Sequence, residues 1–319
     1  MKNFLLLCLS LAALSSSYSH PGIGIVKDSH GNIYYTDLKQ IWKVTPQGVK
    51  TIVVRGVHSH EIAIDANDNL YGEHLWYNGE ALNTWGHYAW RLGSNGRLDT
   101  LIGPREGFLD DYSFRRDAAG NMYWIQQWKT ARFKKRTSDG QVIVLAEKDL
   151  DKIGWMHVTA KGKIYFTDRK NLYQLDQQGN IRELAEKPAG KSSSPGSLWG
   201  IWTDDSNNIY VADMDSKKVI RIEESGKQTT VLKTSGAWFP LSGVFGNDGS
   251  LWLMEGNYLN KVRVRKIIKE ELLAASNPAS HATVSKTNYF IWLLPIVLVS
   301  SIVIAIHLRN AYRSNTLSI

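Results

Sequence analysis

The feature that most constrains the fold is a unit that recurs six times along the middle of the chain. Each copy has a Gly- or Asn-rich turn followed by a short strand with Tyr or Trp in second position. The residue closing the turn falls at Asn32, Asn69, Asn121, Lys163, Asn208 and Ser250. Spacings of roughly 40 to 50 residues are typical of propeller blades, and six such units bury their open faces by packing radially. The predicted fold is therefore all-β, a six-bladed β-propeller over residues 20–269.

Two copies carry a family resemblance, GIGIVKDSHGNIYYTD at 22–37 and GIWTDDSNNIYVAD at 200–213. They resemble the repeat of the NHL and SMP-30/gluconolactonase-like propellers, over roughly residues 22–268 of this chain. The resemblance implies the six-bladed fold. It implies no single function, because such propellers host hydrolases, lyases and plain binding modules. The lactonase-like members use a glutamate entering the first blade as a metal ligand, and Gly24 stands there in this chain.

How the ring closes is left open by the sequence. The sixth unit ends after NKVRVRKII at 260–268 with no second Gly turn. The ring is expected either to remain incompletely closed or to use a segment such as 282–285.

Both ends of the chain predict export and membrane anchoring. Residues 1–19 have a basic start, an apolar run and small residues at the end, the pattern of a secretory signal peptide. Residues 289–308 contain no Lys, Arg, Asp or Glu, and about 20 such residues cross a bilayer as one helix. Arg309 and Arg313 place the tail, 309–319, in the cytoplasm by the positive-inside rule. Residues 270–288 would form a loose stalk, and the propeller would lie on the periplasmic or extracellular side of the cell membrane.

Composition excludes several classes of function. The only cysteine, Cys8, lies in the predicted signal peptide, which excludes thiol catalysis, disulfides and cysteine-ligated zinc from the mature chain. The net charge of +8 comes partly from basic runs at 132–136 and 261–269. These runs are typical of basic strand faces near an anionic membrane, and no nucleic-acid partner is expected. No nucleophile elbow or phosphate loop is present.

Alternation along the innermost strands predicts which side chains face the channel. The predicted pairs are Gly24 with Val26, Glu61 with Ala63, Ser113 with Arg115, Trp155 with His157, Gly200 with Trp202, and Ser242 with Val244. Glu61, Arg115 and His157 would then converge in one channel. Burying such groups unpaired is costly, so their convergence indicates a site. Arg115 could equally be a hydrogen-bonded plug between blades.

Two functional hypotheses follow. In the leading one, the top face of the channel binds a small molecule, peptide, glycan or protein through polar and aromatic anchors. Its predicted ligand-binding residues are His58, Glu73, Trp76, Tyr77, His87, Asp111 and Trp199.

In the alternative, the chain is a metal-dependent hydrolase or lyase acting on a lactone, an ester or a peptide-derived substrate. His60, Glu61 and His74 would hold one divalent metal ion, zinc or calcium. Arg115 and His157 would be the catalytic residues, with Arg115 holding an anionic group of the substrate.

Overall fold

The computed structural model describes residues 22–107, 113, 115–127, 130–150, 153–168, 170–190 and 197–276. The predicted signal peptide, transmembrane segment and cytoplasmic tail lie outside these residues, as do Asp111 and the stalk beyond residue 276. None of the helices within the described ranges is long and apolar enough to cross a membrane.

The described residues form six antiparallel sheets, each with its strands side by side in chain order. The first contains β1 (Ile25–Lys27), β2 (Ile33–Thr36), β3 (Gln40–Val44) and β4 (Lys50–Arg55). The second contains β5 (Ile62–Ile64), β6 (Leu70–Tyr77), β7 (Trp85–Leu92) and β8 (Leu98–Glu106). The third contains β9 (Met122–Gln127), β10 (Ala131–Arg136) and β11 (Val142–Lys148). The fourth contains β12 (Met156–Val158), β13 (Ile164–Thr167), β14 (Leu172–Leu175) and β15 (Ile181–Ala185). The fifth contains β16 (Leu198–Thr203), β17 (Ile209–Asp213), β18 (Lys218–Ile222) and β19 (Gln228–Lys233). The sixth contains β20 (Trp238–Phe245), β21 (Leu251–Asn257) and β22 (Val262–Ile267).

In five of the six sheets the first strand lies toward the centre of the ring. Strand β1 contacts both β5 and β20, while β16 contacts both β12 and β20. In the third sheet the inner position is taken by the segment at Arg115 and Arg116, which joins β9 through a bridge from Arg116 to Met122. The Tyr123 N–H also donates to the Arg115 carbonyl at 3.0 Å. The predicted all-β, six-bladed propeller is confirmed.

The repeated sequence motif forms a turn between the first two strands of a blade. In the first blade, Asp28 Oδ1 accepts the Asn32 N–H at 2.7 Å, and Oδ2 accepts both the Asn32 amide at 2.7 Å and the Tyr34 hydroxyl at 3.1 Å. The same three bonds recur at Asp65/Asn69/Tyr71, Asp117/Asn121/Tyr123 and Asp204/Asn208/Tyr210. Asp and Asn side chains that bond nearby backbone groups favour turns over strands. The motif is therefore a structural turn at the face opposite the top face of the channel, where the sequence predicts the ligand-binding mouth.

Apolar side chains fill the junctions between blades. Between the first and sixth blades, Ile25 and Tyr35 pack with Phe239, Leu241 and Trp252, all of them buried. Within the described residues the sixth sheet has three strands, and none of them comes from the start of the chain. The ring is thus closed here by side-chain packing. Residues 282–285, proposed as a closing segment, lie outside the described residues.

The predicted loose stalk begins with a helix. Helix α1 (Lys269–Ser276) follows β22 and contacts β19 of the fifth blade. Leu272 packs against a cluster that contains Val219 and Leu253. This apolar contact favours an ordered helix directly after the last strand, where the sequence predicts a loose stalk.

Candidate functional site

A cavity of about 300 Å³ lies on the axis of the ring, where the innermost segments of all six blades meet. At matching positions the blades contribute Val26, Ala63, Arg115, His157, Trp202 and Val244. Glu61 and Ser242, one step nearer the predicted mouth, also line it. The structure therefore places the three titratable residues Glu61, Arg115 and His157 around one space.

Two of the predicted channel positions are instead points of close approach between blades. A Cβ atom on Gly24 would lie 2.8 Å from the Ile62 nitrogen, and one on Gly200 would lie 2.4 Å from Ser242 Oγ. Real Cβ atoms do not come this close, so neither position tolerates a side chain without a shift of the neighbouring blade. A metal-ligating glutamate would not fit at Gly24 in this ring.

Arg115 joins three blades. Its Nη2 donates to the Glu61 carboxylate of the second blade, and its Nε donates to the Met156 carbonyl of the fourth at 3.0 Å. The two side chains retain 24% and 20% of their exposure, which leaves the ion pair at the cavity surface. These contacts use two of the five N–H donors of a guanidinium. The interpretation of Arg115 as a plug between blades is consistent with these bonds, and further donors are available to a ligand.

Glu73 forms a second carboxyl group beside the ion pair. Ile62 pairs with Gly72, so the register places Glu61 and Glu73 opposite each other one residue further along. Like charges at such positions repel. Burial, and then the charge of Glu61, raises the pKa of Glu73 to about 7, although Arg115 acts in the opposite direction. Burial also raises the pKa of Glu61, opposed by Arg115. Glu73 can thus exchange a proton near neutral pH.

His157 is a neutral imidazole in the cavity wall. Burial, followed by the positive charge of Arg115, lowers the pKa of His157 to about 4. Its Nε2 lies 3.4 Å from Thr203 Oγ1 of the fifth blade. A neutral imidazole offers one donor and one acceptor. Sequence alternation missed Thr203, because an inner strand turns its edge to the axis and residues from both of its faces reach the cavity.

The histidines of the second blade contact one another and neighbouring aromatic rings. The His58 N–H donates to His74 Nδ1 at 2.9 Å, which fixes the proton of a neutral His74 on Nε2. Burial lowers the pKa of His74. The Nε2 atoms of His58 and His60 are 3.3 Å apart, so one donates to the other. The His74 ring lies 5.8 Å from the Trp76 ring and 5.1 Å from the Tyr88 ring, between centroids.

The three predicted metal ligands are engaged in separate contacts. His60 faces His58, His74 accepts a backbone N–H, and Glu61 binds Arg115. Among the residues that the structure describes, no group of three or more His, Cys, Asp or Glu side chains is placed to hold a metal ion. The donor set therefore does not fit a divalent metal in this arrangement.

The remaining predicted ligand residues are divided between the surface and the interior. Tyr77 and Trp85 are each 41% exposed and pack together, with 5.0 Å between ring centroids, at the end of the long β6–β7 hairpin. His87 is buried, and its Nδ1 contacts the Gly107 carbonyl inside the second blade. Trp199 packs on Trp155 with 5.4 Å between centroids. Trp76 and Tyr77 are thus near the surface, whereas His87 is not placed to meet a ligand at the mouth.

Comparisons with known proteins bear on the fold. No protein-family model and no curated protein matches the chain. An auxiliary nutrient binding protein from Bacteroides thetaiotaomicron is similar in structure, with a TM-score of 0.55, 11% identity, and coverage of 77% of this chain and 68% of that one. A gluconolactonase from Xanthomonas campestris has a TM-score of 0.54, 12% identity, and coverage of 74% and 83%. A virginiamycin B lyase from Staphylococcus aureus has a TM-score of 0.44, 17% identity, and coverage of 79% and 86%. The first two likenesses support, for the fold alone, the resemblance to gluconolactonase-like and NHL-like six-bladed propellers.

Proposed function

We propose that this propeller binds a small ligand with a carboxylate and hydroxyl groups in its axial cavity. The observation that carries the proposal is the Glu61–Arg115 pair at the cavity surface. Arg guanidinium groups bind carboxylates through paired hydrogen bonds, and Arg115 keeps donors beyond those used within the protein. Neutral His157 and Thr203, both in the cavity wall, offer donors and acceptors for hydroxyl groups. The cavity volume of about 300 Å³ corresponds to the lower end of small-molecule sites.

The fold itself does not require charge at this level of the channel. Val26, Ala63 and Val244 hold the equivalent positions in the first, second and sixth blades. An apolar replacement of a buried ion pair is often neutral or stabilising, so an ion pair is a poor choice for stability alone. Charged groups at this position are better explained by recognition of a polar ligand.

The test is isothermal titration calorimetry of the full-length chain in non-ionic detergent, with glucuronate as the probe. Glucitol, which lacks the carboxylate, is the comparison ligand. We expect saturable binding of glucuronate, weaker binding of glucitol, and at least about ten-fold weaker glucuronate binding by Arg115→Met. Arg132→Met is the matched control, because Arg132 pairs with Glu147 at 2.9 Å in the outer strands of the third blade. Equal glucuronate binding by the Arg115 variant and the parent, or no saturable binding by the parent, would refute the proposal.

A hydrolase or lyase is the second candidate, and Glu73 is the observation that favours it. A carboxyl group whose pKa is about 7 can accept and donate a proton at neutral pH, as a general acid–base catalyst must. The test is hydrolysis of glucono-δ-lactone by the parent and by Glu73→Gln, with elemental analysis of the same preparation. Turnover that is lost in the Glu73 variant while glucuronate still binds would establish the enzyme. Turnover equal to the uncatalysed rate would exclude it for this substrate.

We propose further that the propeller is exported and anchored on the outer side of the cell membrane by the segment 289–308. The apolar segments at 1–19 and 289–308 support this proposal. Membrane fractionation combined with added protease tests it. The propeller should sediment with membranes and be digested without lysis of the cytoplasmic compartment, and recovery in the soluble fraction would contradict anchoring.

A further inference from the structure

A second cavity, of about 480 Å³, lies between the first and sixth blades. Its walls come from the β3–β4 hairpin, including Pro46, and from strands β2, β21 and β22. No residue of the innermost strands β1 and β20 is among its lining residues. This side cleft is therefore separate from the axial cavity and from the site proposed above.

The side cleft is lined by cations without a lining carboxylate. Lys50, Arg263 and Lys266 all contribute to its surface, and none of its lining residues is Asp or Glu. Lys266 Nζ pairs with Asp248 at 2.7 Å behind the cleft. Lys50 Nζ instead lies over aromatic rings, 3.9 Å from the centroid of Trp42 and 5.2 Å from that of Tyr35.

Of the three cations that line the side cleft, Lys50 has the least neutralisation of its charge by neighbouring carboxylates. Among the described residues, no carboxylate lies within ion-pair distance of its Nζ. Burial lowers the pKa of Lys50, and the charge of nearby Asp37 acts in the opposite direction. Lys50 is exposed at the start of β4, so an anion in the cleft can reach it.

Arg263 is held in a fixed orientation. Its Nε donates to Glu255, whose side chain is fully buried, at 2.8 Å, and its guanidinium lies 4.1 Å from the centroid of the Trp238 ring. Glu255 also accepts from Arg265. Because Glu255 takes the Nε donor, the Nη donors of Arg263 are available to an anion, which a guanidinium binds with two parallel hydrogen bonds.

We propose that the side cleft binds a phosphate group, with Lys50 and Arg263 as its principal contacts and Lys266 as a third. Three cationic side chains from two blades line the same cleft, which matches an anion with several terminal oxygens. The rings of Tyr35 and Trp252, with Val44, Pro46 and Val264, form an apolar wall beside them. The phosphate is either free or carried by a ligand with an apolar part, such as a phospholipid headgroup.

The test is calorimetric titration of the full-length chain in non-ionic detergent with inorganic phosphate, dihexanoyl phosphatidic acid and dihexanoyl phosphatidylcholine. The variant is Lys50→Met, with Lys50→Arg as the charge-conserving rescue. Lys43→Met is the matched control, since Lys43 Nζ lies 5.6 Å from the Tyr34 ring and does not line the cleft. We expect about ten-fold weaker phosphate binding by Lys50→Met, and binding within about two-fold of the parent by Lys50→Arg and Lys43→Met.

The two sources of phosphate give different results. Equal affinity for inorganic phosphate and phosphatidic acid identifies the phosphate alone as the ligand. Phosphatidic acid that binds about ten-fold more tightly identifies a lipid headgroup whose acyl part contacts the apolar wall. Equal binding of phosphatidylcholine and phosphatidic acid, with both weakened in Lys50→Met, would also support the proposal and show that a phosphodiester is sufficient. No saturable binding of phosphate by the parent, or equal losses in Lys50→Met and Lys43→Met, would overturn it.

Discussion

Replacing Glu73 by Gln should change how the stability of the propeller depends on pH. In the folded chain Glu73 lies opposite Glu61 in a poorly hydrated position, and its carboxylate form is disfavoured. Gln has nearly the same shape and no charge. The substitution therefore removes the unfavourable carboxylate while it preserves the packing around it.

The size of the effect follows from the shift. The pKa of Glu73 rises from 4.5 to about 7 on folding. One pKa unit corresponds to about 1.4 kcal/mol, so ionised Glu73 costs the folded state roughly 3 kcal/mol. Because the folded-state pKa is raised, the stabilising contribution of the proton is complete below pH 4.5 and is lost as the pH rises through 7. Glu73→Gln should be about as stable as the parent at low pH and more stable by roughly 2–3 kcal/mol above pH 8.

Urea denaturation of both proteins across the pH range from about 5 to 9 measures this difference as the free energy of unfolding. Glu80→Gln is the control, because Glu80 is exposed in the loop of the same hairpin and its substitution should alter stability by less than about 0.5 kcal/mol. If parent and Glu73→Gln lose stability in parallel as the pH rises, Glu73 is not the carboxyl group that takes up the proton, and the reasoning from its position opposite Glu61 is wrong.

Three further predictions concern the same ring. Arg115→Met leaves the Glu61 carboxylate without its partner and should lower the free energy of unfolding in urea by about 2–4 kcal/mol. Adding Glu61→Gln should recover part of this loss, and fully additive effects of the two substitutions would show that the residues are not coupled. His157 should remain neutral down to about pH 5 in NMR titrations, because its pKa is about 4. The part of the stability that depends on neutral His157 should fall as the pH drops from 6.5 toward 4, and a titration of His157 near pH 6.5 would show instead that its ring is hydrated. Gly72→Ala places a Cβ 2.2 Å from the Trp90 ring and should lower the free energy of unfolding by about 1–3 kcal/mol. Gly103→Ala is the control, because a Cβ there meets nothing within 4 Å and should change stability by less than about 0.5 kcal/mol. Equal effects of the two substitutions would contradict the packing argument.

The sequence carried enough information to predict the fold, because the determinants of a blade are local. The Asp28–Asn32–Tyr34 bonds form within one turn, and the same residue types at the same spacing in three other blades repeat the same bonds. The convergence of Arg115 and His157, with Glu61 one step along its strand, was also predictable, because the inward-facing positions of repeated units share one axis.

Other parts of the site depend on contacts that strand alternation cannot express. Glu73 lies opposite Glu61 because Ile62 pairs with Gly72. This register is set by the pairing of two strands, which the alternation within one strand does not give. The start of a strand predicts a position at the mouth for His87, but the strand begins two residues earlier, at Trp85, and His87 is buried. Thr203 was overlooked because a strand with an open edge toward a cavity contributes residues from both faces.

The way the ring closes affects how it moves. Backbone hydrogen bonds link the first blade to the second, where the N–H groups of Ile23 and Gly24 donate to the His60 carbonyl. Among the described residues, the junction of the first and sixth blades is instead held by side-chain packing, with no shared backbone ladder. Separating these two blades would expose apolar surface but break none of the sheets, so we expect local opening here to cost less free energy than unfolding a blade. The side cleft borders this seam, so a ligand bound to both Lys50 and Arg263 would hold the first and sixth blades together. Backbone amide hydrogen exchange in β1 and β20 would then be slower with the ligand bound than without it.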